Sequence, residues 1–477
     1  MAVPTVTINN QTGSNTAASG AGPATAKSGT AAATAANTTV TLTVDNPDLS
    51  GVATDGSAAM WVGSSSGRQW SKITAVDNVG KTVTVSDAYA NTESGKNWGI
   101  GGKRATIAGS TQLFKDAVSS NVGWTINIEK GNASYTLTAA LICNIVAARA
   151  TPLIITSSAV TTSVATDTNA PTVTTATNSI NLIDISSSQF VEFSNIKFTN
   201  TAGTKGTTTA NGRALAAVTA TANNLAVDNC SFDGFEVTID GDNVNYFQIQ
   251  NGSTISRCEI KNSVLDAIRW KDGLEVLDSH IHDNGGDGIQ FANSAPVTTN
   301  EYHITVARTL VVNNVGNGFN HKYTSSLSHA LFKFEQCTFA GNSSGSGVVL
   351  QPTQLILILA NNIFYNNSAY GVNIAGGTPE VCIAYNNGYG ANTTAPSTGI
   401  INEQGAITIS GGSPFNSASD WGLNNTANAG AVCRNGAPKI PNGSANTAGD
   451  IGAIPSGGGG AGGSILVGTG SILLRAS

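Results

Sequence analysis

Two aspartates are the first candidates for chemistry. Asp266 lies in SVLDAIRW and Asp287 in NGGDGIQF, 21 residues apart, each just before Ala or Gly and an apolar–x–apolar stretch. A pair of carboxylates about 5 Å apart is the equipment of a retaining glycoside hydrolase, one acting as nucleophile and the other as acid and then base. Like charges that close raise one pKa, which suits the acid role. Arg269 and Lys271 occupy nearby outward positions. They are expected to neutralise uronate groups of a substrate or, in a lyase, to withdraw a proton. The same slot also reads as local structure, because Asp before Gly commonly bonds its own turn backbone. Its counterparts further along are Asn317, Ser346 and Tyr370, as a corner position with loose demands would allow.

The remaining chemistry-bearing residues are read more simply. Asp283 and Asp287 lack the dense acidic loop of a calcium site, so neither a metal nor another cofactor is expected. His280 and His282 are expected on an outer surface, stacked over Glu259 and Lys261, and His321 in the core beside Phe291 and Leu350. Six cysteines, Cys143, Cys230, Cys258, Cys337, Cys382 and Cys433, show neither C-x-x-C nor Cys/His metal spacing. Buried free thiols, and synthesis in a reducing compartment, are the expectation.

What must position these residues is a degenerate repeat between about residues 190 and 390. CEIKNSVLDAIRW (258–270), SHIHDNGGDGIQF (279–291), TLVVNNVGNGFNH (309–321) and NIFYNNSAYGVNI (362–374) share one pattern. A small residue and an apolar one precede an Asn/Asp-rich turn, then Gly or Ala, then apolar–x–apolar. CTFAGNSSGSGVVL (337–350) carries one extra turn residue. The apolar mark recurs at Phe198, Phe232, Ile260, Ile281, Val311, Phe339, Phe364 and Ala384, about every 27 residues. The period within a copy is two, which is strand-like.

Each copy contains three strand pieces separated by corners, and Asn and Gly supply positive-φ corner residues. The expected fold is all-β: a right-handed, single-stranded parallel β-helix with three short strands per coil. Coils stack at about 4.8 Å, so like residues form ladders. Cys230, Cys258, Ser279, Thr309, Cys337 and Asn362 fall in one inward ladder. Arg257, Asp278 and Arg308 fall in an outward one of alternating charge.

Composition narrows the classes. Only 11% of the 477 residues are charged, and the net charge is −6. No basic run exists, so nucleic-acid binding is not expected. MAVPTVTINN has neither the basic nor the apolar region of a secretory signal, and no apolar run reaches membrane-spanning length. Synthesis in the cytoplasm without membrane insertion is the expectation.

Three regions follow. Residues 1–102 read as an arm and a small N-terminal β-domain, with a hairpin turn at Asn78 to Gly80. Residues 103–455 read as the β-helix, entered through a capping helix at Thr111 to Val118, with loops at 161–178 and 201–212. Residues 456–477 read as a Gly-rich linker and an apolar tail. An outer stripe of Leu310, Val312, Ile363 and Tyr365 calls for burial against a neighbouring subunit or under a loop of the same chain.

The coil pattern from about 180 to 455 resembles the pectate-lyase-like right-handed β-helix superfamily. GDIGAIP (449–455) is similar to the ending of bacterial and phage β-helix repeat proteins. The N-terminal GSNTAASGAGPATA, KITAVDNVGKTVTV and WGIGGKRATI resemble the leading region of tailed-bacteriophage tail-spike and other virion β-helix proteins. This resemblance implies a virion structural protein, homotrimeric, held by its N-terminal region to other virion proteins and touching host surface polysaccharide. Attachment to the head as a decoration or fibre protein is a variant of that expectation. The fold hosts many functions, so a polysaccharide lyase or glycoside hydrolase using Asp266 and Asp287 is the alternative. The paired Asp and Gly-His-Gly motifs of polygalacturonase-type hydrolases are absent.

Overall fold

The computed structural model describes residues 5–8, 11, 22–23, 25–34, 38–55, 57–63, 69–86, 88, 93–101, 125–143, 152–177, 180–185, 191–203, 212–216, 222–223, 225–240, 249–250, 253–270, 273–291, 302–322, 330–351, 355–375, 379–400, 403–434 and 452. The expected capping helix at 111–118, the tail at 456–477 and most of the closing GDIGAIP lie outside them. Two compact units are formed, Met1–Ser253 and Thr254–Ser477. In both, the chain winds through three parallel sheets, a β-solenoid.

In the first unit, six strands close into a small barrel: Lys27–Thr34, Thr39–Thr41, Ala59–Val62, Gln69–Asp77, Thr82–Val85 and Glu93–Ile100. Closure removes the unpaired edges that an open sheet of this size would expose. Val40, Leu42, Met60, Ile73, Val83, Trp98 and Ile100 fill it. Asp45 Oδ2 accepts the Trp98 indole N–H at 2.6 Å. The hairpin turn is held by Asp77 Oδ1, which accepts the N–H groups of Val79 and Gly80 at 2.8 and 2.9 Å.

One strand corrects the sequence reading. Thr5–Ile8, expected in a loose arm, pairs in parallel with Thr125–Ile128 of the solenoid. Ile8 is buried, and its carbonyl accepts the Glu129 N–H at 2.9 Å. The barrel is therefore inserted between two neighbouring strands of one solenoid sheet. A second correction concerns 161–178. Thr172–Thr175, expected within a loop, forms a strand on Lys197–Asn200. Its Thr/Val alternation was hidden in a Thr-rich stretch. Only the preceding segment is irregular, folded around Val160, Val164 and Ala170 and tied by Asp167.

In the second unit the coils follow the expected register. Leu274, Ile304, Phe332 and Leu357 pair in succession along the first sheet. Ile268, Ile289, Phe319, Val348 and Val372 do so along the second. Ile260, Ile281, Val311, Phe339 and Phe364 do so along the third. The next mark is Tyr389, not Ala384, which pairs with Leu359 in the first sheet. Phe339, Phe364 and Tyr389 stack nearly parallel, with centroids 5.5 and 5.3 Å apart.

Corners are made by single residues in the left-handed region: Arg257, Asp278, Arg308, Gln336, Asn361 and Asn386 at one, Asn262, Asp283, Asn313, Asn366 and Ala391 at the next. Asn adopts this conformation more readily than most side chains. The expected opposed charges meet at the first corner, where Arg308 Nε and Nη2 donate to both Asp278 oxygens at 2.6 and 2.8 Å.

Inside the second corner runs a ladder of buried Asn284, Asn314, Asn342 and Asn367, ending at half-buried Asn392. Each Nδ2 donates to the next Oδ1, at 2.8, 3.3, 2.8 and 2.9 Å. Each Oδ1 from Asn314 onward also accepts the backbone N–H of the Asn before it. The expected small-residue ladder behaves alike: Cys258 N–H donates to Ser279 Oγ at 3.1 Å and Cys337 N–H to Asn362 Oδ1 at 2.9 Å.

The outer stripe is covered by the chain itself. Leu310, Val312, Ala340 and Ile363 pack under Ile409, Phe415, Leu423, Ala429 and Cys433. Phe415 meets Tyr365 edge-on at 6.0 Å. This segment ends in a helical turn, Gly430–Cys433. The stripe is thus no argument for a neighbouring subunit. No helix among the described residues is long and apolar enough to cross a membrane.

The six cysteines are thiols rather than disulfides, and five of them are buried. Burial pushes Cys143, Cys230 and Cys337 up to about 12. Iodoacetamide at pH 8 should label Cys382, half-exposed, before the others, which should react only after denaturation; peptide mass mapping reads this. In the Asn ladder, Asn342→Leu removes the acceptor of the Asn314 backbone N–H and one partner each of Asn314 Nδ2 and Asn367 Oδ1. It should lower stability by about 2–4 kcal/mol, measured from the urea unfolding midpoint.

Candidate functional site

Asp266 and Asp287 sit at equivalent corners, just before the paired strands Ile268–Trp270 and Ile289–Phe291. Stacking of the coils brings the two side chains to one polar cluster, as the 21-residue spacing requires. Each residue is 5% exposed. Asp266 Oδ1 accepts the Asp287 backbone N–H at 2.7 Å, and its Oδ2 accepts Arg269 Nε at 2.7 Å and Gln290 Nε2 at 2.8 Å. Asp287 Oδ1 accepts the Asn317 N–H at 2.7 Å and its Nδ2 at 3.0 Å. Asp287 Oδ2 accepts Asn320 Nδ2 at 2.7 Å and Gln290 Nε2 at 3.3 Å, with Lys322 Nζ at 3.9 Å.

The pattern continues without acids. Asn317 Oδ1 accepts the Ser346 N–H at 2.8 Å, and Ser346 Oγ accepts the Tyr370 N–H at 3.3 Å. The glycine preceding the slot is required by this closeness. A Cβ on Gly286 would run into Asp266 Oδ1, and one on Gly316 into Asp287 Oδ1. The slot's first task is therefore to satisfy a backbone N–H of the following coil. Every oxygen of the pair is engaged by donors, and a general acid needs a proton it can present to substrate.

Burial nevertheless holds Asp266 above the ordinary carboxylate range; Arg269 pulls it down and Asp287 adds to the rise. Arg269 is bound to Asp266 rather than held apart for a ligand. Lys271 lies outside the described residues. Sequence reading missed Gln290, Asn320 and Lys322, which complete the cluster. Gln290 and Asn320 pair with Arg269 along the outward face of the second sheet, so register alone would have found them.

The histidines divide. His321 is buried against Phe291 and Phe332, with centroids 5.4 and 5.1 Å away, and burial pushes it down to about 4. It is a neutral core residue, as expected. His280 and His282 do lie on the outward face over Glu259 and Lys261, but they are largely buried there rather than free on a surface. Asp283 turns to His282, its Oδ2 lying 2.7 Å from Nδ1. Glu403, not singled out in the sequence, ends two ladders by accepting from Asn387 Nδ2 at 2.8 Å and Tyr389 Oη at 3.0 Å.

No family model matches the chain, and no curated protein matches it. Among solved structures it is similar to the catalytic domain of a GH87 alpha-1,3-glucanase in complex with tetrasaccharides. The identity is 12% and the TM-score 0.31, over 82% of this chain and 89% of that one. The same catalytic domain in complex with nigerose gives 11% and 0.28 over the same shares. Neither likeness assigns a role to any residue here.

A carboxyl whose folded-state pKa is raised stabilises the fold fully below its unfolded value, near 3.8 for Asp266, and loses that contribution as pH rises through the folded value. Asp266→Asn is neutral throughout. It should flatten the unfolding midpoint against pH in the window just above 3.8, while an unchanged profile would remove Asp266 as the titrating group.

Proposed function

We propose that this chain is a virion structural protein of a tailed bacteriophage, of the tail-spike or fibre type, that contacts the host cell surface. The observation that carries the reading is the saturation of Asp266 and Asp287. The carboxylates that an enzyme would use are engaged in joining one coil to the next. Support also comes from the likeness of Gly13–Ala26, Lys72–Val85 and Trp98–Ile107 to leading regions of phage virion proteins, and from a small barrel set on a β-solenoid. In this reading the barrel engages other virion proteins, the solenoid meets host polysaccharide, and the chain assembles as a homotrimer.

A glycan-cleaving activity at Asp266 and Asp287 is the second reading. One observation favours it: an acid raised by burial with Arg269 and Lys322 beside the pair.

Particles purified by density gradient from a producing culture should contain tryptic peptides of this chain at fixed stoichiometry, and the purified protein should have a trimer's mass. Absence from the particles would sink the virion reading. Capsular polysaccharide or lipopolysaccharide of the host should keep its chain length on incubation. Shortening that Asp266→Asn and Asp287→Asn abolish would establish the enzyme.

A further inference from the structure

One cluster in the second unit is explained neither by coil stacking nor by the proposed function. Strand Glu259–Lys261 pairs with His280–His282, so that Glu259 stands opposite His280 and Lys261 opposite His282. Ile260 and Ile281 point inward and are fully buried. Strand alternation therefore sends Glu259, His280 and His282 to one outward face. On the following coil Leu310 and Val312 take the same positions, 2% and 0% exposed. These belong to the apolar cluster covered by the C-terminal segment. The histidines thus line the border between a polar outer face and an apolar wall.

One donor atom from each of Glu259, His280 and His282 lies within 4.8 Å of the others. Glu259 Oε1 is 3.5 Å from His282 Nε2, and the two imidazole rings stack with centroids 3.9 Å apart. The Nε2 atoms of both histidines are buried without a hydrogen-bond partner. Leaving such an atom unsatisfied is costly, and two of them facing one carboxylate call for a shared cation.

The surroundings match a metal centre. His282 Nδ1 lies 2.7 Å from Asp283 Oδ2. A carboxylate there holds the proton on Nδ1 and leaves the Nε2 lone pair for a metal, the usual arrangement behind a ligating histidine. Glu259 engages Lys261 through Oε2 at 3.1 Å, which leaves Oε1 on the side of His282. In a tetrahedral site with bonds of about 2.0–2.1 Å, neighbouring ligand atoms are about 3.3 Å apart. The Glu259–His282 separation is already near that value, and rotation of His280 about its side-chain torsions supplies the third ligand.

We propose that Glu259, His280 and His282 bind one divalent first-row transition-metal ion of the zinc type, two imidazoles and one carboxylate leaving a fourth position for water. The ion would tie two successive coils at the edge of the C-terminal cover. This inference does not depend on the phage reading or on the acidic pair.

The test uses the untagged full chain, stripped with a chelator and titrated with zinc by calorimetry and with cobalt by visible absorption. One ion per chain is expected, with the intense cobalt bands of a tetrahedral site. His280→Gln, His282→Gln and Glu259→Gln should each weaken zinc binding by about 100-fold, and Asp283→Asn, which touches no metal, by about 10-fold. Far-UV circular dichroism checks that each variant folds. A second measurement needs no variant. Zinc should lower diethyl pyrocarbonate labelling at His282 and leave the exposed His303 unchanged, read by peptide mass. A wild-type Kd weaker than about 100 µM, equal binding by folded Glu259→Gln, or unchanged labelling at His282 would overturn the proposal.

Discussion

A parallel coil has to leave its sheet at every corner, and there the backbone N–H groups lose their strand partners. Buried N–H groups are almost always paired in folded proteins. In the second unit the pairing comes from side-chain oxygens borrowed from the following coil. Asn314, Asn342, Asn367 and Asn392 do this at one corner, and Ser279, Asn362 and Asn387 at another. At the third corner the direction reverses, and Asp266, Asp287 and Asn317 lend oxygens to backbone N–H groups of the coil that follows them. The hydrophobic ladders between the corners supply most of the driving force. The polar ladders set the register, because a slip of one residue would strand a whole column of donors.

The same constraint explains why the acidic pair is ambiguous. A position that needs only an oxygen one coil above a backbone N–H accepts Asp, Asn or Ser. Asp266 and Asp287 fill it with charge, and Arg269, Gln290, Asn320 and Lys322 then gather as compensation. A buried cluster of acids and cations results from structural necessity and resembles the raw material of catalysis. Perturbed titration follows from burial in either case, so Asp266 alone does not separate the two.

The repeat was legible in sequence because Ile260, Ile281, Val311, Phe339 and Phe364 recur with a two-residue alternation around them. Where that signal weakens, reading failed for physical reasons. Thr172–Thr175 is a strand of Thr and Val inside a Thr-rich stretch. In AYNNGYG the apolar mark sits after the turn-like Asn pair, so the local pattern points to Ala384 in place of Tyr389. The outer stripe was visible, but what covers it lies some 50 residues downstream of Ile363, in Phe415 and Leu423. The stacking of Glu259 under His280 and His282 was legible as well. The burial that leaves two ring nitrogens without partners is a tertiary fact that no local pattern carries.

The insertion of the barrel has a consequence for how the chain reaches its native state. Thr5–Ile8 is made first, yet its partner Thr125–Ile128 leaves the ribosome about 120 residues later. During that interval the barrel, whose contacts are more local, can close by itself. The first strand of the solenoid must wait as an unsatisfied edge. The large loop costs little in closure entropy once its interior is ordered. Thr5–Ile8 can therefore join the first sheet only after Thr125–Ile128 has been made, so this edge of the sheet is closed from its C-terminal side.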